Sequence, residues 1–229
     1  MKNQEEMKEQ IRTIVLQNGA DVCGFATMDR FADAPEGFSP LDVWKDCKSV
    51  ISLGIALPKG LTYTDSNLIY GYFNADAAKQ LDKISFQSAK LIEREFKAIA
   101  MPLPCDGPYD YWQEETMTGK GIISMRHVAT ACGLGTIGKN SLLLNPKYGT
   151  MLIVGAILTN LELASDEYSK DICIPGCSKC INSCPAHAIE NRTVNQKACR
   201  TNTFGKSKRG FDTVECKACR TVCPRKFGV

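Results

Sequence analysis

The sequence predicts an α/β (α+β) layer followed by a small cysteine-built domain. Three observations carry this. Apolar, strand-like runs alternate with helix-like stretches up to about residue 165. Beyond that the chain turns polar. Eight of its 12 cysteines then fall between Cys173 and Cys223. The expected boundaries are 1–165 for a cofactor- or substrate-binding domain and 166–229 for the cysteine domain.

The elements follow in order. Met7, Ile11, Ile14 and Val15 recur at helical spacing, and Gly19 is a C-terminal stop. Val22 to Ala26 reads as a short strand, and Pro35, Gly37 and Pro40 mark a loop. Ser49 to Leu57 is an apolar run bounded by Pro58 and Gly60, which suits a strand buried on both faces. Ala75 to Ala100 lacks Gly and Pro and reads as a long helix, with Leu81, Ile84, Ser88, Leu91, Ile92 and Phe96 inward. Pro102 and Pro104 are expected to end it. Cys105-Asp106-Gly107-Pro108 is a turn, leading to an aromatic, acidic loop through Tyr109, Tyr111, Trp112, Glu114 and Glu115. A second helix is expected over Ile122 to Ala131. Leu142 to Leu144 and Met151 to Thr159 read as strands, split by Asn145-Pro146 and Gly149.

The cysteines are spaced as Cys173-x3-Cys177-x2-Cys180-x3-Cys184-Pro185, then Cys199, then Cys216-x2-Cys219-x3-Cys223-Pro224. Two runs that each close in Cys-Pro are the pattern of a ferredoxin-like domain with two [4Fe–4S] clusters. A cubane needs four thiolates around one small object. Cysteines two residues apart reach neighbouring irons, and in two-cluster ferredoxins the last cysteine of a run ligates the other cluster. Cys173, Cys177, Cys180 and Cys223 would therefore hold cluster I. Cys184, Cys199, Cys216 and Cys219 would hold cluster II, with Cys199 replacing the first cysteine that the second run lacks. Structural zinc also uses four cysteines with x2 spacing, but the Cys-Pro endings and the isolated Cys199 fit it less well. Disulfides need an oxidising compartment, for which the sequence carries no signal.

The N-terminus is polar and acidic with no apolar stretch behind it, so a secretory signal is not expected. The longest apolar run, Met151 to Leu158, is too short to span a bilayer. A cytoplasmic protein with no membrane partner is expected. From Glu190 to Val229 there are ten Lys/Arg against three Asp/Glu. Such a basic end suits an acidic protein or nucleic acid. The alternative is local compensation, since an oxidised cubane with its four thiolates carries about −2.

Gly133, Gly135 and Gly138 form a G-x-G-x-x-G, followed by Lys139 and Asn140. The dinucleotide fingerprint requires a strand before and a helix after. Here the expected order is reversed, which disfavours a nucleotide fold. What stays open is a ligand's phosphate or amide groups at this loop, or a tight helix-to-strand turn.

The stretch Gly133-Leu134-Gly135-Thr136-Ile137-Gly138-Lys139-Asn140-Ser141-Leu142-Leu143-Leu144-Asn145-Pro146-Lys147-Tyr148-Gly149, with Gly155-Ala156-Ile157-Leu158-Thr159, resembles the epoxyqueuosine reductase family, which is related to the reductive dehalogenases. That family follows the segment with the same double cluster region. Asp21 to Ala26 and Lys48 to Ile51 match its opening strands more loosely. The resemblance implies an N-terminal domain of nitroreductase-like, corrinoid-binding type. It also implies a cobalamin, or alternatively FMN, between that domain and the clusters. Gly133, Gly135, Gly138, Lys139 and Asn140 would then line the cofactor site, and a ferredoxin or flavodoxin would donate electrons. Two departures stand out. The family's reductases place a proton-donating Asp in an Asp-Thr-Gly-Pro ahead of the motif helix, where this sequence has Gly119-Lys120-Gly121-Ile122. Asp106 is the candidate catalytic residue to stand in from another loop. Many members also continue into a helical-repeat tail, whereas this sequence ends six residues after Cys223.

Cys23 and Cys47 are expected to be buried, and Cys132 is either buried or faces a ligand. His127 is expected to be structural and His187 to face solvent. The functional expectation is an iron–sulfur oxidoreductase that passes single electrons to a cofactor or substrate in the N-terminal domain. The alternative is a ferredoxin-like electron carrier that docks to a larger redox enzyme through its basic end. A third reading is tRNA binding by Lys206-Ser207-Lys208-Arg209.

Overall fold

The computed structural model describes residues 4–206, 210, 212–213 (backbone alone) and 216–229. In chain order the first part comprises α1 (Gln4–Gln17), β1 (Val22–Thr27), α2 (Pro40–Val43), β2 (Ser49–Ala56), α3 (Asn67–Phe96) and β3 (Ala100–Leu103). Then come β4 (Tyr111–Gln113), β5 (Thr118–Lys120), α4 (Met125–Ala131), β6 (Thr136–Ile137), β7 (Leu143–Leu144) and β8 (Leu152–Thr159). The cysteine-rich part holds α5 (Lys179–Asn182), β9 (Ile189–Glu190), β10 (Thr193–Val194), α6 (Gln196–Thr203), β11 (Gly205–Lys206), β12 (Asp212–Thr213) and α7 (Ala218–Thr221).

One four-stranded sheet organises the first part, in the order β1-β2-β8-β3. Every pairing in it is antiparallel. Side chains alternate across a strand, so β2 feeds two cores. Ile51, Leu53 and Ile55 join Phe25 and Ile157 beneath α1 and α3, against Ile11, Val15, Leu81 and Ile92. Val50 joins Ala26, Ala156 and Leu158 on the other face, against Val128 and Ala131 of α4. Seven of the eight β2 positions are buried, which is why its sequence runs apolar without alternation. Full burial of one such aliphatic side chain is worth roughly 1.5–3 kcal/mol.

The sheet accommodates what the sequence misplaced. The long helix starts at Asn67, eight residues before Ala75, and contains Gly71, which is buried beside Tyr70. Helix propensity is a weak prior that tertiary packing overrides. The helix ends at Phe96, where Lys97 turns left-handed with φ 51°. Pro102 does not end it but sits in β3, which pairs with β8 alone. An edge strand tolerates the missing N–H. The aromatic loop is instead the hairpin β4–β5. All three residues of β4 are exposed, so no burial alternation marked it as a strand.

Candidate metal centres

The two cysteine runs fold alike. Each forms one helical turn, α5 or α7, bearing its middle cysteine, Cys180 or Cys219. The two turns pack on each other. The cysteine after each turn, Cys184 or Cys223, bends back, its amide N–H donating a hydrogen bond to Ile181 O (3.2 Å) or Arg220 O (3.4 Å). Cys199 rides on α6, capped by the Asn195 side chain, which accepts from the Ala198 amide at 3.0 Å.

This brings the eight cysteines into two groups. Cys173, Cys177, Cys180 and Cys223 line one cavity with Gly138, Lys139 and Arg225. Burial and then the like charge of Cys173 and Cys177 raise the Cys180 thiol, once offsetting backbone hydrogen bonds are counted. In the second group, Cys184, Cys199 and Cys219 share an apolar patch with Ala188, Ile189 and Val194. Burial pushes Cys219 up to about 11; Arg220 opposes the shift, and Cys216, Cys199 and Cys184 add to it. Among the described residues, no group of three or more His, Cys, Asp or Glu is placed to hold a single metal ion. The first four cysteines surround a space instead of meeting at a point.

The surroundings suit a sulfide-rich guest. Thr221 Oγ1 and Arg225 Nε, both within two residues of Cys223, are buried with no hydrogen-bond partner in the protein. Buried donors normally find partners, and cluster sulfurs accept hydrogen bonds. Four cysteines lining one cavity, the apolar Leu144 and Ile174 beside them and orphaned donors nearby fit a cubane.

Of the two readings of the glycine motif, the tight turn is the one the structure describes. A Cβ on Gly133 would lie 2.3 Å from Glu167 O, and one on Gly135 would lie 2.6 Å from Leu144 O. At Gly138 it would meet Asn140 Oδ1 at 3.0 Å. The room these glycines create is therefore filled by the chain itself, in a turn between α4 and the β6–β7 hairpin. Lys139 Nζ donates to Cys177 O at 2.9 Å, and Asn140 Nδ2 donates to Cys219 O at 3.2 Å. One residue thus steadies each cysteine loop. Spacing alone could not have shown this, because the partners are distant carbonyls.

A second brace was not foreseen. Asp171 accepts from the Cys173 amide at 2.9 Å, from Arg192 at 2.6 Å and from Thr136 at 3.1 Å. Burial works against its charge, but these donors outweigh burial and hold its carboxyl below the usual carboxylate range. The second run docks on the first part through Lys217, which donates to Leu61 O at 3.4 Å and to Thr64 O, and through Arg220, which donates to Thr150 O.

A surface of aromatic rings and arginines lies beside the second group. Arg200, next to Cys199, donates to Met117 O and stacks on Tyr109 and Trp112, with its carbon 5.1 and 4.9 Å from their ring centres. Arg126 keeps an exposed outer surface but is hemmed in by protein. Burial lowers its pKa, as does Arg220, against the pull of Cys199, Cys219 and Tyr109. Gly119 lies under the same stack, where a Cβ would sit 2.9 Å from both Arg200 and Tyr109. Asp106 is exposed on the loop after β3.

The remaining cysteines are structural. Cys132 is fully buried, its thiol 3.6 Å from Val50 O, so it faces no ligand. Burial pushes Cys23 to about 12 and Cys47 to about 11. At pH 8 only about one part in 10⁴ and 10³ of these thiols is ionised. Brief iodoacetamide treatment of the folded protein at pH 8 should leave both unmodified by mass spectrometry, with labelling appearing on denaturation. A raised thiol pKa stabilises the fold below the ordinary value of about 9, and this contribution is lost as pH climbs toward 11–12. Cys47 also borders a groove of about 530 Å³ between Lys45, Lys48 and Glu162, away from the cysteine groups. His127 bonds the Ser124 hydroxyl through Nδ1 at 2.7 Å, and His187 is exposed. Of the basic patch, Ser207, Lys208 and Arg209 lie outside the described residues. Among those described, no helix is long and apolar enough to cross a membrane.

No protein-family model matches the chain. It is 25% identical to an epoxyqueuosine reductase of Bacillus subtilis, over 99% of this chain and 65% of that protein. The chain thus spans just under two thirds of that relative's length. In fold it is similar to an epoxyqueuosine reductase crystallised with an epoxyqueuosine-modified tRNA stem loop, with a TM-score of 0.68 and 20% identity over 98% of this chain and 66% of that one. It is also similar to a reductive dehalogenase described as suggesting a mechanism for B12-dependent dehalogenation. There the TM-score is 0.64, with 16% identity over 95% of this chain and 32% of that one.

Proposed function

We propose that this chain, related by sequence and fold to the epoxyqueuosine reductases, is an iron–sulfur protein of reductase type built as an N-terminal nitroreductase-like layer, 1–165, and a ferredoxin-like domain, 166–229. The carrying observation is the grouping of cysteines from opposite runs, Cys173, Cys177 and Cys180 with Cys223, and Cys184, Cys199 and Cys216 with Cys219. Two [4Fe–4S] clusters held there supply single-electron transfer. The chain's own work is to place them. Lys139 and Asn140 fix the two cysteine loops from one turn. Lys217 and Arg220 fix the second run to the first part.

The electron acceptor belongs against the surface of Tyr109, Trp112, Arg126 and Arg200 beside the second group. Its arginines favour an anionic or electron-rich guest and disfavour a cation. A corrinoid or FMN is the cofactor class that the relatives suggest. Gly133 and Gly135 do not cradle one through their open faces, because backbone fills them, whereas Gly138, Lys139 and Asn140 face the first cysteine group. The electron path drawn from this chain's residues therefore ends at the second cluster. Asp106, exposed and outside the stack, is proposed as the acid only if its loop closes. The tRNA stem loop seen with one relative supports nucleic acid as a partner for the basic end, and ferredoxin or flavodoxin remains the proposed donor.

Anaerobic reconstitution should give about eight irons and eight sulfides per chain, with little zinc. Zinc retention without iron overturns the reading. One observation favours a second reading, an electron carrier without its own chemistry. The position that should bear the family's acid is Gly119, where a Cβ would lie 2.9 Å from Arg200 and Tyr109 and would have to displace their stacked side chains. Titrating cobalamin and FMN into the reconstituted protein separates the two: micromolar binding of either supports the reductase, and binding of neither supports the carrier.

A further inference from the structure

We infer that Arg225 is a positioning residue for cluster I, its Nε–H donating a hydrogen bond to a cluster or cysteine sulfur and raising that cluster's reduction potential above the value it would otherwise have. The inference rests on the proposal that the first cysteine group holds a cubane.

Arg225 lines the cavity formed by Cys173, Cys177, Cys180 and Cys223. Its Nε is buried and has no partner in the protein. A guanidinium cannot shed its proton, so this N–H always needs an acceptor, and a buried donor left without one destabilises the fold. The other cation at the cavity, Lys139, already donates to Cys177 O at 2.9 Å.

The backbone cannot drift from this position. Gly228 N donates to Arg225 O at 3.0 Å, and Val229 N donates to Pro146 O at 2.9 Å. The Arg225 carbonyl lies where a Cβ on Gly149 would be, 2.0 Å from that site. Gly149 is also at φ 58°, so this contact is reserved for glycine. The side chain thus leaves a fixed strap with an unused donor beside four thiols. Reduction adds one electron to a cluster that is already anionic. A donor to sulfur and a fixed positive charge both stabilise the reduced form more than the oxidised one. The second group keeps its own arginines, Arg126, Arg200 and Arg220, so the effect is local.

The test uses the full chain, reconstituted anaerobically. With ¹⁵N-arginine labelling, the dithionite-reduced wild type should show a weak ¹⁵N coupling to one cluster in pulsed paramagnetic resonance, lost in Arg225→Lys. In redox titrations, Arg225→Gln and Arg225→Lys should both shift one midpoint to more negative values while the other stays in place. A wild type without ¹⁵N coupling overturns the inference, even if the variants fail to fold. So does a Lys variant with unchanged midpoints, which would assign the effect to charge alone. Failure to take up iron instead overturns the underlying cluster proposal, and the iron assay reports that separately.

Discussion

Replacing Cys223 by alanine should remove about half of the reconstituted iron, four atoms per chain, and the loss should fall on cluster I. That cluster otherwise draws its ligands from the first cysteine run, 50 residues upstream by the numbering of Cys173 and Cys223. The reason is the exchange of ends. Cys223 belongs to the run of Cys216 and Cys219, yet it lines the cavity of Cys173, Cys177 and Cys180. Burial raises its thiol pKa, and the neighbours that add to the shift are Cys180, Cys173 and Cys177. A cubane with three thiolates and one open iron is prone to lose metal. Cys184→Ala should do the reverse and damage cluster II, whose remaining ligands lie in the second run and α6. Iron and sulfide assays give the halving. The two clusters' separate midpoints and resonance signals identify the survivor. Should Cys223→Ala and Cys216→Ala abolish the same cluster, the ligation is not crossed and the proposed pairing of loops is wrong.

The cysteine groups were legible because ligand spacing is a short-range constraint. A helical turn can place only certain neighbours around one object, and Cys199 was the one thiol left to complete a set. β3 was hidden at the expected end of the long helix, but the other three strands of the sheet were legible as apolar runs, Ser49 to Leu57 above all. Their antiparallel order was not, because an apolar run does not record its partner's direction. The β4–β5 hairpin was missed because Tyr111, Trp112 and Gln113 are exposed and carry no burial pattern. The glycine motif shows a third limit. Its spacing signals that backbone must come close, but not which backbone. The answer, Glu167 and Leu144, lies in the fold. Lys139 and Asn140 read as ligand donors for the same reason, and their acceptors are carbonyls about 40 and 80 residues away, at separations of 38 and 79.

Asp166→Asn should be the most damaging single substitution outside the cysteine groups, lowering stability by about 2–4 kcal/mol and the melting temperature by on the order of 10 °C. Asp166 lies where the chain leaves the sheet for the cysteine region. It accepts from Lys8 at 2.8 Å and from Arg12 at 3.0 Å through each carboxylate oxygen. It also accepts from the Phe25 amide at 3.2 Å, while its own amide donates to Phe25 O at 2.9 Å. This one residue extends the free edge of β1 and ties α1 to it. The side chains of Lys8, Arg12 and Asp166 are 7%, 24% and 22% exposed, so water screens the group only in part. Both cations also stand near the Phe25 ring, at 5.8 and 4.8 Å. Asparagine keeps the shape but leaves two positive groups facing each other, with Glu5 and Glu9 at the exposed rim as their anionic partners and the Cys23 carbonyl as a further acceptor for Arg12. Removing one of those cations should then recover part of the loss. Lys8→Met with Asp166→Asn should be less destabilised than the sum of the single changes, by roughly 1 kcal/mol or more. Additive effects in that cycle, or a melting shift of under about 2 °C for Asp166→Asn, would reduce the clasp to an ordinary surface pair.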